Sequence, residues 1–125
     1  MRLLLDTHAL LWWLAGDPKL KPEAVAAISD PTSTVAVSAA TVWEISLKAA
    51  KGRLTVPSDL VDQIGDEGFE ALPITLEHGR SAALLPRHHG DIFDRALVAQ
   101  AQLEALTIVT RDPKIRLYEV PTLAA

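Results

Sequence analysis

Four carboxylates stand at positions that a parallel sheet would bring to one edge. Asp6 directly follows an apolar run at the start of the chain, and Asp112 follows a late run rich in β-branched residues. Asp94 lies in the first turn of the longest predicted helix, and Glu44 lies in a helix that follows a buried strand. Ligands of open α/β sheets bind beyond the carboxyl ends of the strands. These acids are therefore candidates for one common site.

Each of these acids also has an ordinary structural role open to it. Asp6 would serve as a helix N-cap, and Asp112 lies in a sequence typical of a turn. Glu44 stands four residues before Lys48, the spacing of a helical ion pair worth only a few tenths of a kcal/mol. Asp94 would interact favourably with the helix dipole. Taken one at a time, the positions leave both interpretations open.

Taken together, the four carboxylates predict a divalent metal site. Several unpaired carboxylates within a few ångströms would repel one another, and a hard cation removes that conflict. Mg²⁺ and Mn²⁺ prefer oxygen ligands and keep bound waters, whereas the absence of cysteine removes thiolate zinc sites. Asp91, three residues before Asp94, is a secondary acidic candidate. The implied chemistry is metal-assisted phosphoryl transfer or hydrolysis.

The composition fits one compact domain and excludes binding of polyanions through bulk charge. The chain has 125 residues, of which 49% are hydrophobic and 22% are charged, a profile typical of one globular domain. Its 12 basic and 16 acidic side chains give a formal net charge of −4, so any binding of nucleic acid must be local. No apolar run is long enough for a signal sequence or a membrane span. With no cysteine present, we expect a cytoplasmic location and no membrane partner.

The elements that would position the acids alternate between strands and helices. Apolar and β-branched runs predict strands at residues 2–5, 34–37, 69–74 and 107–110. Helices are predicted at residues 7–15, 22–29, 75–85 and 92–106, from a Ser38 cap to Lys51, and from a Ser58 cap to Gly68. This alternation indicates an α/β fold, with a parallel sheet covered by helices on both faces.

Four segments spread along the chain carry a family resemblance. They are Leu5-Asp6-Thr7-His8-Ala9, Val37 to Ile45 with its Trp43-Glu44 pair, Asp91 to Ala101, and Thr110-Arg111-Asp112. Together they resemble PIN-domain ribonucleases of the VapC toxin type, from VapBC toxin–antitoxin systems. The resemblance covers essentially the whole chain. It implies that residues 1–125 form a single PIN domain, a three-layer α/β/α sandwich with a central, mainly parallel sheet of four or five strands.

The resemblance also implies the chemistry of the site. Asp6, Glu44 and Asp94 would be metal ligands and catalytic residues, with Asp112 as the fourth member of the set. Bound Mg²⁺ or Mn²⁺ would activate a water for attack on an RNA phosphodiester. The candidate substrate contacts are neighbours of these acids in the motifs: Thr7, Arg95, Thr110 and Arg111.

The expected partners come from the resemblance as well: an RNA substrate, a small cognate VapB-like antitoxin, and a second copy of the chain in a homodimer. The related motif commonly reads His-Lys-Asp-Pro-Phe-Asp-Arg, whereas this chain has Gly90 and Ile92 in place of the lysine and proline. Neither position is an expected metal ligand. His88 and His89 precede Gly90 and are interpreted as exposed loop residues, because imidazole is a poor ligand for Mg²⁺.

Two other functions are compatible with an acidic pocket. An aspartyl-phosphate phosphatase would use Asp6 as its nucleophile, but that chemistry favours a second acid two positions later, where this chain has His8. A catalytically silent binding module, similar to a receiver domain, would keep the pocket for partner binding. Retention of four acids makes this second alternative less attractive, although acids alone do not establish turnover.

Overall fold

The computed structural model describes residues 1–125 and contains five strands, six α-helices and one short 3₁₀ turn. The strands are β1 (Arg2–Leu5), β2 (Thr34–Ser38), β3 (Glu70–Leu72), β4 (Thr107–Thr110) and β5 (Thr122–Ala124). The helices are α1 (Thr7–Ala15), α2 (Pro22–Ser29), α3 (Ala39–Ala50), α4 (Leu60–Asp66), α5 (Leu76–Leu84) and α6 (Ile92–Glu104), and the 3₁₀ turn covers Ile115–Leu117. None of the helices has the length and apolar character needed to cross a bilayer.

All five strands form one parallel sheet in the order β3-β2-β1-β4-β5. This confirms the predicted parallel sheet of four or five strands. The chain builds one half of the sheet outward from β1 through β2 to β3, and then returns to place β4 on the other side of β1. The order therefore reverses between β1 and β4, which is where open α/β sheets bind ligands at the carboxyl ends of their strands.

The strands bury side chains on both faces of the sheet. Leu3 and Leu5 of β1 pack in one core with residues of α1, α2 and α4, whereas Leu4 packs in a second core with α6. Helix α3 contributes Ile45 to the first core and Ala40 to the second. With helices on both faces, the structure confirms the three-layer α/β/α sandwich.

Apart from shifts of one or two residues at the ends of other elements, the structure differs from the prediction at four elements. Strand β5 and the 3₁₀ turn were not predicted, and β3 covers only Glu70–Leu72 of the predicted 69–74. Helix α4 begins at Leu60 rather than after a Ser58 cap, because its first backbone hydrogen bond runs from the Gln63 N–H to the Asp59 carbonyl, at 2.9 Å. None of these differences moves an element that carries a predicted acid.

Candidate active site

A cleft of about 490 Å³ opens at the carboxyl ends of β1 and β4. The five predicted acids all line it: Asp6, Glu44, Asp91, Asp94 and Asp112. Its remaining lining residues are Thr7, His8, Trp12, Lys48, Arg111 and Pro113. The structure therefore brings together, at the switch point of the sheet, carboxylates that lie up to about a hundred residues apart in the sequence.

Asp6 is held where β1 ends and α1 begins. Its backbone N–H donates to the carbonyl of Val109 in β4 at 3.2 Å, and its Oδ1 accepts from the N–H of Ala9 at 2.9 Å. Asp6 thus caps α1 and lines the cleft at the same time. Burial raises the pKa of this carboxyl, and the charge of Asp112 adds to the rise, while a hydrogen bond from the Thr110 hydroxyl opposes it.

Asp94 lies in the first turn of α6, with Asp91 as the N-cap. Oδ1 of Asp91 accepts from the backbone N–H of Asp94 at 2.9 Å, so α6 begins at Ile92 without the proline of the related motif. Burial raises the pKa of Asp94 to about 6, a hydrogen bond from His89 opposes the rise, and the charges of Asp91 and Asp112 add to it. The charge of Asp112 raises the pKa of both Asp6 and Asp94, so its carboxylate repels each of the other two.

Glu44 lines the same cleft but has its own donors. Its Oε1 accepts from the Thr7 hydroxyl at 2.6 Å, and its Oε2 accepts from the Lys48 ammonium at 2.6 Å. Glu44 therefore forms the helical ion pair with Lys48 and also lines the cleft. From the sequence, these two roles were alternatives. Beside Glu44, Trp43 meets Phe93 of α6 edge-on at 5.1 Å, and this contact joins α3 to the helix that carries Asp94.

Three of the four predicted substrate contacts lie in or beneath the cleft. The Arg111 guanidinium stacks over the Trp12 ring at 4.5 Å and donates from Nε to the Ala125 carbonyl at 3.1 Å. Thr7 and Thr110 are buried. The Thr110 hydroxyl accepts from the backbone N–H of Asp112 at 3.0 Å. The Thr7 hydroxyl bonds Glu44, and the Thr110 hydroxyl bonds Asp6. Arg111, by contrast, is exposed in the cleft.

Arg95 does not line the cleft, so the structure does not bring this predicted substrate contact together with the acids. Its guanidinium donates to the carbonyls of Ala82, Leu85 and Pro86 at 3.0–3.1 Å. It also donates to the Tyr118 hydroxyl at 3.2 Å. Through these hydrogen bonds, the guanidinium of Arg95 in α6 connects α6 to the end of α5.

His89 is the residue whose environment the sequence interpretation placed wrongly. Its side chain is 8% exposed, with Nε2 at 3.1 Å from Oδ2 of Asp94 and Nδ1 at 2.8 Å from the Tyr118 hydroxyl. His88, by contrast, is exposed as predicted. Proximity to Asp94 in the motif was the one available signal, because a loop that folds back over a helix N-terminus has no periodic pattern.

The chemistry of the donor set fits an oxygen-preferring divalent cation. No three acidic or imidazole side chains are arranged so that they could hold an ion as they stand. Mg²⁺, however, usually keeps several waters and takes only one or two protein carboxylates, so a closed cage is not required. Burial of Asp6 and Asp94 raises the pKa of both carboxyls, and a nearby cation would favour their charged forms.

Comparisons with known proteins identify the family of the chain and proteins with a similar fold. The chain matches the PIN domain family over residues 3–121. It is 28% identical over 122 residues to Ribonuclease VapC22 of Mycobacterium tuberculosis, covering 95% of this chain and 93% of that one. Similar folds are found in VapBC2 of Rickettsia felis bound to a promoter DNA fragment (TM-score 0.71, 14% identity, 98% of both chains) and in a toxin–antitoxin complex of Klebsiella pneumoniae (TM-score 0.69, 22% identity, 98% and 96%).

Proposed function

The chain belongs to the PIN domain family, and from that premise we propose that it is a metal-dependent endoribonuclease acting as the toxin of a toxin–antitoxin pair. The observation that carries the proposal is the convergence of Asp6, Asp94 and Asp112 in one cleft at the switch point of the sheet. The proposal is supported by the similarity of the chain to Ribonuclease VapC22. Similar folds also occur in toxin–antitoxin complexes. We propose that residues 1–125 form a single catalytic domain.

The residues of the cleft have distinct roles in this proposal. Asp6, Asp94 and Asp112 would hold Mg²⁺ or Mn²⁺ through carboxylate oxygens, with Asp91 at the edge of the set. When bound, the cation supplies a water of lowered pKa and stabilises negative charge on the phosphate. The acids must be ionised to hold it, so Asp94 has to lose the proton that burial favours.

The other wall of the cleft supplies positive charge and shape. Glu44 is paired with Lys48, so in this proposal it becomes a metal ligand only by exchanging one of its present donors. Arg111 presents a guanidinium beside the Trp12 ring, a suitable place for a phosphate of RNA. The substrate backbone is therefore proposed to approach the cleft at Lys48 and Arg111.

The partners are proposed from the family and from the surface. A groove of about 410 Å³ runs from the cleft between α1 and residues 54–57, and it includes Leu11, Leu14 and Val56. We propose this groove for a small VapB-like antitoxin, whose apolar side chains would fill it. Leu10 is fully buried, so the apolar run at residues 10–14 is explained by the core and by this groove.

The cytoplasmic location stays a prediction.

The homodimer is proposed on a surface different from the antitoxin groove. Trp43 of α3 is 56% exposed and packs against Phe93 of α6, and Ile92, which precedes Phe93 in the sequence, is 61% exposed. Together with Leu47, which is 37% exposed, they form an apolar surface that a second copy of the chain could cover.

The proposed function is tested by RNA cleavage with charge-neutral variants. Purified protein is incubated with single-stranded and structured RNAs in Mg²⁺, in Mn²⁺ and in EDTA. Asp6→Asn and Asp94→Asn should each lower the rate by about 100-fold or more, and EDTA should abolish cleavage. Asp62→Asn, at an exposed position of α4, is the matched control and should cleave like the parent. Cleavage that persists in EDTA, or undiminished cleavage by both cleft variants, contradicts the proposal.

A further inference from the structure

A directed series of hydrogen bonds ends on Asp94. Arg95 donates to the Tyr118 hydroxyl at 3.2 Å, and that hydroxyl lies 2.8 Å from Nδ1 of His89. Nε2 of His89 lies 3.1 Å from Oδ2 of Asp94. Arginine only donates and an ionised carboxylate only accepts. With a neutral imidazole, the direction is therefore fixed: Arg95 donates to Tyr118, Tyr118 donates to Nδ1 of His89, and Nε2–H donates to Asp94.

The members of this series are shielded from water and connect four parts of the fold. Tyr118 is 4% exposed, and the side chains of His89 and Asp94 are 8% and 17% exposed. Arg95 is in turn held by carbonyls at the end of α5. The series joins the end of α5, the segment after the 3₁₀ turn, the loop before α6, and the first turn of α6. Hydrogen bonds that are shielded from water and linked in a series hold their members in one geometry.

One oxygen of Asp94 is left outside this series. His89 occupies Oδ2, whereas Oδ1 has no hydrogen-bond donor from the protein, and the residue lines the cleft. The imidazole therefore fixes the rotation of the carboxylate and leaves the other oxygen available to the cleft. Partners of this kind behind a metal ligand commonly change metal affinity by about 10- to 100-fold.

We propose that His89 is a positioning residue, which Tyr118 and Arg95 hold in one tautomer so that it orients the Asp94 carboxylate toward a divalent cation. The inference rests on the proposed function, because the orientation of Asp94 matters to catalysis only if the cleft holds that cation. In this role, His89 is neither a metal ligand nor a substrate contact.

The first test measures Mn²⁺ affinity of the full chain by calorimetry, without RNA. His89→Ala should weaken binding by about 10-fold or more, and Tyr118→Phe should weaken it less, because the imidazole stays but loses its oriented donor. His89→Gln should recover most of the loss, since its amide N–H can still donate to Asp94. The matched control is His88→Ala, because the exposed His88 packs edge-on against Tyr118 at 4.8 Å without bonding an acid. Thermal unfolding of each variant separates loss of fold from loss of orientation.

The second test reads the tautomer directly in the metal-free protein. ¹⁵N NMR of histidine-labelled protein should show His89 as the Nε2–H tautomer, and Tyr118→Phe should weaken that preference. An Nδ1–H tautomer would overturn the inference. Equal losses of affinity in His89→Ala and His88→Ala would also overturn it, because they would assign the effect to packing around Tyr118.

The outcomes separate this inference from the function on which it rests. If His89→Ala binds Mn²⁺ like the parent while Asp94→Asn does not, the metal site stands and the positioning role is wrong. If the parent does not bind Mn²⁺, or Asp94→Asn binds it like the parent, the proposed function and the inference are both wrong.

Discussion

At the scale of single residues, Asp94 is the acid whose charge is most unfavourable to the folded chain. Burial raises its pKa from 3.8 to about 6, so the folded protein binds this proton more tightly than the unfolded protein does. The resulting stabilisation is fully present below about pH 4 and is lost as the pH rises through about 6. Asp94→Asn should therefore raise the free energy of unfolding of the metal-free protein at neutral pH, by about 1 kcal/mol after allowance for solvent screening.

This prediction is checked by urea denaturation in EDTA across that pH range. The difference between Asp94→Asn and the parent should grow from near zero in acid to its full value above about pH 7. Asp62→Asn should show no such trend. Added Mg²⁺ should stabilise the parent and not the cleft variant, since a cation that binds the folded state adds to its stability. A variant less stable than the parent at neutral pH in EDTA would contradict the prediction.

Thr7 offers a second prediction at this scale, because its hydroxyl bonds Glu44 at 2.6 Å in a buried position. Thr7→Val keeps the branched shape and removes the donor, so one oxygen of a buried carboxylate loses its partner. The free energy of unfolding should fall by about 1–3 kcal/mol. Thr55→Val, at an exposed site, should change it by less than about 0.5 kcal/mol. Equal effects of the two substitutions in urea denaturation would show that the bond contributes nothing.

The acids could be found from the sequence, whereas their supporting contacts could not. A carboxylate directly after a buried strand, or in a helix first turn, has a position that local patterns define. Arg95 and His89 instead meet Tyr118, which is 23 and 29 residues away. Contacts of that kind depend on how the 3₁₀ segment packs against α6, and no spacing in one sequence encodes it.

At the scale of elements, α3 matters most because it carries both Glu44 and Lys48. The helix is followed by Gly52, whose φ of 70° lies in the left-handed region, and the Gly52 N–H donates to the Ala49 carbonyl at 3.0 Å. Gly79 lies inside α5, and a Cβ would meet nothing within 4 Å at either glycine. A Cβ therefore causes no steric clash at either position, and only Gly52 has a backbone conformation that would strain an alanine.

Alanine at these two glycines should have opposite effects. Gly52→Ala forces a side chain into the left-handed region and should lower the free energy of unfolding by about 1 kcal/mol. Gly79→Ala should raise it by about 0.5–1 kcal/mol, because alanine loses less conformational entropy in a helix. Thermal and urea unfolding of both variants check the signs. A stabilised Gly52→Ala would mean that the end of α3 adopts another conformation in solution.

The elements followed local patterns closely where caps and apolar periods were clear. Asp6, Ser38 and Asp91 cap their helices as their positions predicted. Strand β5 was not predicted, because its three residues, Thr122–Ala124, are too few to show the alternating pattern of a strand. That strand exists because β4 offers a free edge for pairing, which is a property of the assembled sheet rather than of the segment.

At the scale of the whole molecule, topology and charge act together on the substrate. The reversal of strand order next to β1 opens the cleft, and the acids that line it belong to a chain with a net charge of −4. RNA would thus be repelled by the cleft and by the average surface. Recognition has to come from a bound cation and from a few local cations such as Arg111, rather than from a basic surface.

This charge balance predicts how RNA binding responds to ions. In EDTA the affinity for a short single-stranded RNA should be weak, and Mg²⁺ should raise it. The dependence on KCl should be shallow, corresponding to fewer than about three phosphate contacts, whereas a protein with 6–10 contacts loses about 10³–10⁵ in affinity between 50 and 200 mM salt. Fluorescence anisotropy of a labelled RNA, read before cleavage proceeds, gives both quantities. Arg80→Gln removes an exposed cation of α5 and should leave the affinity unchanged. Tight binding in EDTA with a steep salt dependence would instead require a basic surface, and the acidic cleft would then not be the place where RNA is recognised.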